Sequence, residues 1–296
     1  MQYLEGIIIL ICINLMVVVG LSLLTGFTGL FSFGHAAYMA IGAYTSALIT
    51  TKLGVPFFVG IIAGAIVAGL AGWLIGTATL KLVGDYFAIA SLGFGETIRL
   101  LLDNGGKVTG GARGFGGIPY QTTLLIAVTV AFLAVVVMRN IILSRYGRSF
   151  MAIREDEIAA QACGIDTFSF KKKSLVISAV YAGIGGSLFA HYMNYLQPIM
   201  FDMAKSTEVA SAVVFGGLGS LTGSILASII LTGVPELLRP LFQWRLVFYG
   251  LVLVGTIVLR PQGIMGGKEI SFVGLKKVFR FRLKEENSNN AHSGNK

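Results

Sequence analysis

Apolar runs at 5–24, 55–79, 121–143, 174–196 and 244–260 are each close to the roughly 20 residues a helix needs to cross a bilayer, and they leave the chain few ways to fold. In hydrocarbon the backbone must satisfy its own hydrogen bonds, so runs of this length read as helices. Two further stretches, 31–51 and 84–102, are apolar but carry Gly, Ser, His and Glu. Charged residues make up only 12% of the chain, against about 25% in soluble domains. The expected class is therefore an all-α polytopic membrane protein with about 8 membrane segments (7–10), some broken or re-entrant. The first run has no basic residues before it and no small-residue cleavage site, which reads as a retained span rather than a signal peptide.

One polar island interrupts this pattern, from Arg139 to Lys173. Of the 23 Lys and Arg, 14 fall in 139–173 and 260–284, beside apolar runs. That clustering is the positive-inside signature and places both segments in the cytoplasm. Nucleic acid is not an expected partner; membrane lipid is. Between the two basic segments the chain must cross an even number of times. The stretch 204–238 is too long for one span and is interrupted by Phe215–Gly223, so it should contribute a re-entrant hairpin or two short tilted spans. The front half loosely echoes this plan around Gly26–Tyr44. If 31–51 is re-entrant, the N-terminus moves from outside to inside.

Small residues recur at helical spacing at Gly60, Gly64, Ala68, Gly72 and Gly76, a seam for close packing within the chain. Cys12 and Cys163 lack metal-ligand spacing and read as packing residues. His35 and His191 stand alone in apolar runs, so no metal, cofactor or catalytic cluster is expected. Neither Gly106-Lys107 nor Gly267-Lys268 ends a phosphate-binding loop, so any ATP must be bound by a partner. Three regions are expected: a transmembrane domain over 1–267 with a cytoplasmic loop at 144–173, a basic amphipathic membrane-surface segment over 268–284, and a disordered tail over 285–296.

Inside the island an amphipathic helix is expected from Ser149, with Met151, Ile153, Ile158 and Ala162 inward, Arg154, Glu155, Asp156, Glu157 and Gln161 outward, and Gly164 as its stop. Such a helix can dock on a soluble subunit; the plain alternative is a solvated loop. Here the chain resembles a known family. GRSFMAIREDEIAAQACGID, with GDYFAIASLGFGETIRLLL, TGGARGFGGIP, FGGLGSLTGS and RPQGIMG in the same order over about residues 5–267, is similar to the LivM-type permeases of branched-chain amino acid ABC importers. The resemblance implies a second, LivH-type permease, two ATP-binding subunits and an extracytoplasmic solute-binding protein. It implies a coupling role for Arg154, Glu155, Asp156, Glu157, Ala159, Ala160 and Gly164. Import permeases of this kind carry an EAA-x3-G loop, and here Ile158 stands at the Glu position with Glu157 before it.

The broken segments are expected to line the translocation path, through Phe33, Gly34, His35, Gly216, Gly217 and Gly219. Glu96 can pair with Arg99 three residues on or face the path, and Asp85 reads as a helix cap. Glu208 is the more suspicious acid, because intramembrane acids tend to be functional. The loop from Asp103 to Tyr120 should lie outside, as a receiver for a binding protein or a plain linker. The cargo stays open: branched-chain amino acids, urea or another amide. An ion-gradient-driven carrier is the rival from another class.

Overall fold

The computed structural model describes residues 2–82, 84–237, 250 and 263–265. The candidate span 244–260, the basic segment 268–284 and the tail 285–296 lie outside the described residues.

Helix α1 (Gln2–Leu21) continues through a π-helical turn, Ser22–Phe27, and the chain resumes as α2 (His35–Leu53) after a break at 28–34. Then come α3 (Phe57–Thr79), α4 (Asp85–Asp103) and a short α5 (Gly106–Thr109). Helix α6 (Leu124–Leu143) leads into the island, which holds α7 (Arg145–Glu155) and α8 (Glu157–Ala162). The chain returns as α9 (Thr167–Met193), then α10 (Met203–Gly216) and α11 (Leu221–Leu237). By length and composition α3, α6, α9 and the continuous Tyr3–Phe27 helix can each cross a bilayer. The expected runs at 5–24, 55–79, 121–143 and 174–196 thus became helices, and 204–237 became two helices with a glycine break between them.

Helix α9 is the axis of the bundle. Its neighbours approach so closely that only glycine fits: a Cβ on Gly42 would collide with the Gly183 backbone, one on Gly186 with the Met39 carbonyl, and one on Gly20 would meet Tyr181 Cβ at 2.7 Å. The expected α3 seam is real and internal, since Gly64 faces Ser187 and Gly42, and Gly72 faces Ala179. With no water to escape, helices in a bilayer associate through close contact of this kind. The opposite faces of α3 and α6 expose Phe58, Ile62, Leu70, Trp73, Leu125 and Phe132, as lipid-facing surfaces should.

These contacts orient the chain. Gly6 of α1 faces Tyr192 near the end of α9, while Gly26 meets the island residue Arg154. The N-terminal end of α1 therefore lies at the end of the bundle opposite the island. Helix α2 begins at His35, beside Ser178 of α9, and its Lys52 reaches the Val108 carbonyl of the far loop. It completes the return crossing, so 31–51 does not reverse the N-terminus.

On the outer side, Phe115–Gly116 (β1) pairs antiparallel with Tyr195–Leu196 (β2), Phe115 opposite Leu196. His191 lies beside this junction: one ring nitrogen is 3.1 Å from the Pro119 carbonyl and the other 3.1 Å from Ser46 Oγ. The loop between Asp103 and Tyr120 is thereby pinned to α9. Asp85 is not a cap; Gly84 occupies that position and Asp85 is the first helical residue. Cys12 is buried as expected, but Cys163 is exposed and packs nothing.

Candidate functional site

The island folds as two helices, not as the single expected one. Asp156 adopts an extended backbone (φ −156°, ψ 112°) and its carboxylate accepts from the amides of Ile158 and Ala159 at 2.9 and 3.0 Å. A short acidic side chain that bonds the amides ahead of it starts a helix rather than continuing one. The break rotates α8 relative to α7, and the inward face changes with it. Phe150, Ile153 and Ala160 are buried, whereas Ile158 is 81% exposed and Met151 and Ala162 are also exposed. Gly164 ends α8 in the left-handed conformation (φ +81°), as expected. Glu157 pairs with Lys171 at 2.6 Å, so it braces the island to the start of α9. There Asp166 caps α9, and the Ser169 hydroxyl and amide hold its carboxyl below the usual carboxylate range, with Lys173 and Lys172 adding to the effect.

Arg154 is exposed as expected, yet its guanidinium also reaches into the bundle. Its Nη1 donates to the Gly26 carbonyl at 2.6 Å, and its Cγ packs over Gly29. A side chain at Gly219 would collide with the same guanidinium nitrogen. Both Gly29 (φ +81°) and Gly219 (φ +83°) are left-handed, which glycine adopts without steric cost. One arginine thus touches both chain breaks, the one after α1 and the one after α10.

The two breaks are built differently. Residues 33–36 run back into the bundle under side-chain caps: Phe33 N donates to Ser91 Oγ at 2.9 Å and Ala36 N to Ser206 Oγ at 3.0 Å. Gly34 is packed against the Ser91 carbonyl with no room for a Cβ. His35 is fully buried, with Nε2 3.3 Å from Ser178 Oγ. Since that hydroxyl already donates to Gly20 O at 2.7 Å, it must accept from His35. His35 is a packed residue and lines no cavity described here. The second break is a glycine turn: Gly217 (φ +105°) ends α10, and Ser220 Oγ accepts from Gly223 N at the start of α11. Gly216 and Gly223 cross so closely that neither tolerates a side chain. The amides of Ile264 and Met265 donate to the Phe215 and Gly216 carbonyls, which gives the RPQGIMG stretch a structural task. Gly216, Gly217 and Gly219 sit at the island end of the bundle, with Gly219 against Arg154.

The open spaces lie elsewhere. Phe33 and Glu96 border a cavity of about 250 Å³, with Glu96 bound to Arg99 through Nε at 2.9 and 3.1 Å. A larger cavity of about 800 Å³ lies between α1, α10 and α11, and Glu208 lines it. Here Lys205 Nζ donates to Glu208 Oε2 at 3.1 Å and to Asn14 Oδ1 at 3.0 Å, and Asn14 Nδ2 donates to Thr232 Oγ1 at 3.2 Å. Asn14 sits halfway along α1, between the outer contact at Gly6 and the island contact at Gly26. Asn14, Lys205 and Thr232 escaped the sequence reading. Their signal was available: a lysine three residues from an acid, and an asparagine inside an apolar run.

The family described as branched-chain amino acid transport system, permease component, matches residues 3–259. This chain belongs to it. The chain is 33% identical to the high-affinity branched-chain amino acid transport system permease protein LivM of Escherichia coli K12, over 83% of its own length and 66% of that protein's. It is 27% identical to LivH, the corresponding permease protein of Salmonella typhimurium, over 87% of this chain and 92% of that one. It is also 26% identical to the autoinducer 2 import system permease protein LsrC of Yersinia pseudotuberculosis, over 68% and 58%. The chain thus spans just under two thirds of the LivM length. No solved structure matches.

Proposed function

We propose that this chain is the membrane subunit of an ATP-driven importer of branched-chain amino acids in the cytoplasmic membrane. Its partners would be a LivH-type permease, two ATP-binding subunits that hydrolyse the ATP, and an extracytoplasmic solute-binding protein. The supporting observation is the two-faced island. Outward, α8 offers Ile158, with Glu155, Asp156 and Ala159 also exposed, an apolar knob among acids suited to a groove on a soluble subunit. Inward, α7 places Arg154 on both chain breaks. Force applied at α8 passes through Ala160 and the buried Phe150 and Ile153 to Arg154, and from there to the inner ends of α1 and α10. Import then follows as rocking of the helices around a central site.

An ion-driven carrier would need a membrane acid free to load and release its ion. Glu96 and Glu208 each have a cationic partner three residues away, which favours the ATP-driven reading.

The test is reconstitution with the three partner subunits and the binding protein in liposomes. Leucine uptake should require ATP inside or outside according to orientation and survive collapse of proton and sodium gradients. Uptake that follows an ion gradient and ignores ATP would sink the proposal.

A further inference from the structure

The cavity between α1, α10 and α11 holds a lysine and a glutamate that pair with each other, level with Asn14 midway along α1. Charged side chains at that depth are costly and tend to be functional. Lys205 also donates to Asn14 of α1, and Asn14 donates in turn to Thr232 of α11, so the cluster joins all three walls of one space. The remaining lining mixes the apolar Leu10, Met203 and Leu231 with Thr207, Ser211 and two further acids, Asp202 and Glu236.

We infer that this cluster is an intramembrane recognition site for a zwitterionic amino acid with an apolar side chain. The inference rests on the importer reading and names the site and the charge type of its cargo. An amino acid bears one ammonium and one carboxylate separated by a single carbon. Lys205 can release Glu208 and take the carboxylate, while Glu208 takes the ammonium. The exchange trades one ion pair for two, so neither Lys205 nor Glu208 loses a partner of opposite charge. Asn14 supplies both an amide donor and an amide acceptor to the same space, and the Leu10, Met203 and Leu231 wall receives the side chain. A net cation or anion would strand one of the two protein charges. Urea or a neutral amide would have to leave the pair intact, and gains nothing from it.

Two measurements separate recognition from simple charge neutralisation. In the reconstituted importer, Lys205→Met and Glu208→Gln should each lower leucine uptake by about tenfold or more, the scale of a lost charged hydrogen bond. In the double variant no buried charge is left unpaired, so its unfolding midpoint should return to that of the parent. Recognition requires its uptake to stay at least about tenfold down. Uptake restored in the double variant overturns the inference, because the pair would then only neutralise itself. The second measurement uses no ATP. In a Cys163→Ser background, a Thr232→Cys variant of the permease complex is labelled with a maleimide. Millimolar leucine should slow labelling, whereas leucinamide and 4-methylpentanoate should not. Equal protection by all three, or by none, overturns the inference. If instead the binding protein fails to stimulate ATPase activity in the parent importer while leucine still protects Cys at 232, the importer reading fails and the site stands.

Discussion

The two ends of α10 do different work over 14 residues. The inner end stops at Gly217 and leans through Gly219 on Arg154, where no side chain of its own takes part. The outer end starts on an Asp202 cap and carries Lys205 and Glu208 into a cavity. At about 1.5 Å per residue the helix is a stiff rod roughly 21 Å long. The break that is conspicuous in the sequence is thus the mechanical end, and the chemical end lies in a stretch that reads as ordinary helix.

The sharpest way to break this contrast is at the crossing of α10 and α11. Gly223→Ala would drive a Cβ into the Gly216 backbone, an overpacking that costs about 1–3 kcal/mol or more. Both ends of α10 should then fail together, seen as lower thermal stability of the complex and loss of uptake. Normal stability would show that the two helices part easily.

Arg154→Ala should separate the ends instead. It removes a charged hydrogen bond worth about 1.5–3 kcal/mol, so uptake should fall roughly 10-fold or more while ATPase activity persists. An equal fall in both activities would mean that Arg154 only holds the fold.

A smaller loss is expected from Ser206→Ala, which orphans the buried Ala36 amide at about 1–3 kcal/mol. It joins α10 to the start of α2 without touching either the cluster or Arg154. Thermal unfolding should shift while the leucine concentration for half-maximal uptake stays unchanged.

The mildest change is Gly164→Ala. The left-handed backbone disfavours it by about 1 kcal/mol, but a Cβ there meets nothing within 4 Å. Uptake should drop by less than about threefold, given that modest cost. A bulky residue at the same position reaches outward and tests the docking face. It should uncouple ATPase activity from uptake, and unchanged uptake with that variant would argue against docking through α8.

How much of this was legible in the sequence depended on which force shaped each part. Long helices follow from apolar length, and the seam at Gly64 and Gly72 from small-residue spacing, so both could be read directly. The double helix over 204–238 followed from glycine within an apolar run combined with the side assigned by basic residues. The split at Asp156 was hidden because a run of charges looks the same on a solvated face and at a cap. The inward contacts of the exposed Arg154 went unread because its partners are the Gly26 carbonyl and glycines at 29 and 219, which have no side chains to signal a contact. Lys205 was overlooked beside Glu208, and Asn14 was absorbed into its apolar run, because their meeting depends on tertiary packing across some 190 positions of sequence.

The glycine contacts also decide which motions the molecule has available. Helices α1, α2, α3 and α9 are locked by backbone against backbone, and α10 and α11 are locked to each other at Gly216 and Gly223. Sliding is blocked inside each group, leaving two castings. Among the described residues, the links between them are the Lys205 bond to Asn14, the Asn14 bond to Thr232, the Tyr3 hydroxyl on the Glu236 carbonyl, the Ser206 cap and close approaches such as Gly26 to Gly219 and Gly233 to Ile11. With Arg154 as the pivot at one end and the cavity as the jaw at the other, a few degrees of rotation would open the jaw and strain the pivot in a single movement.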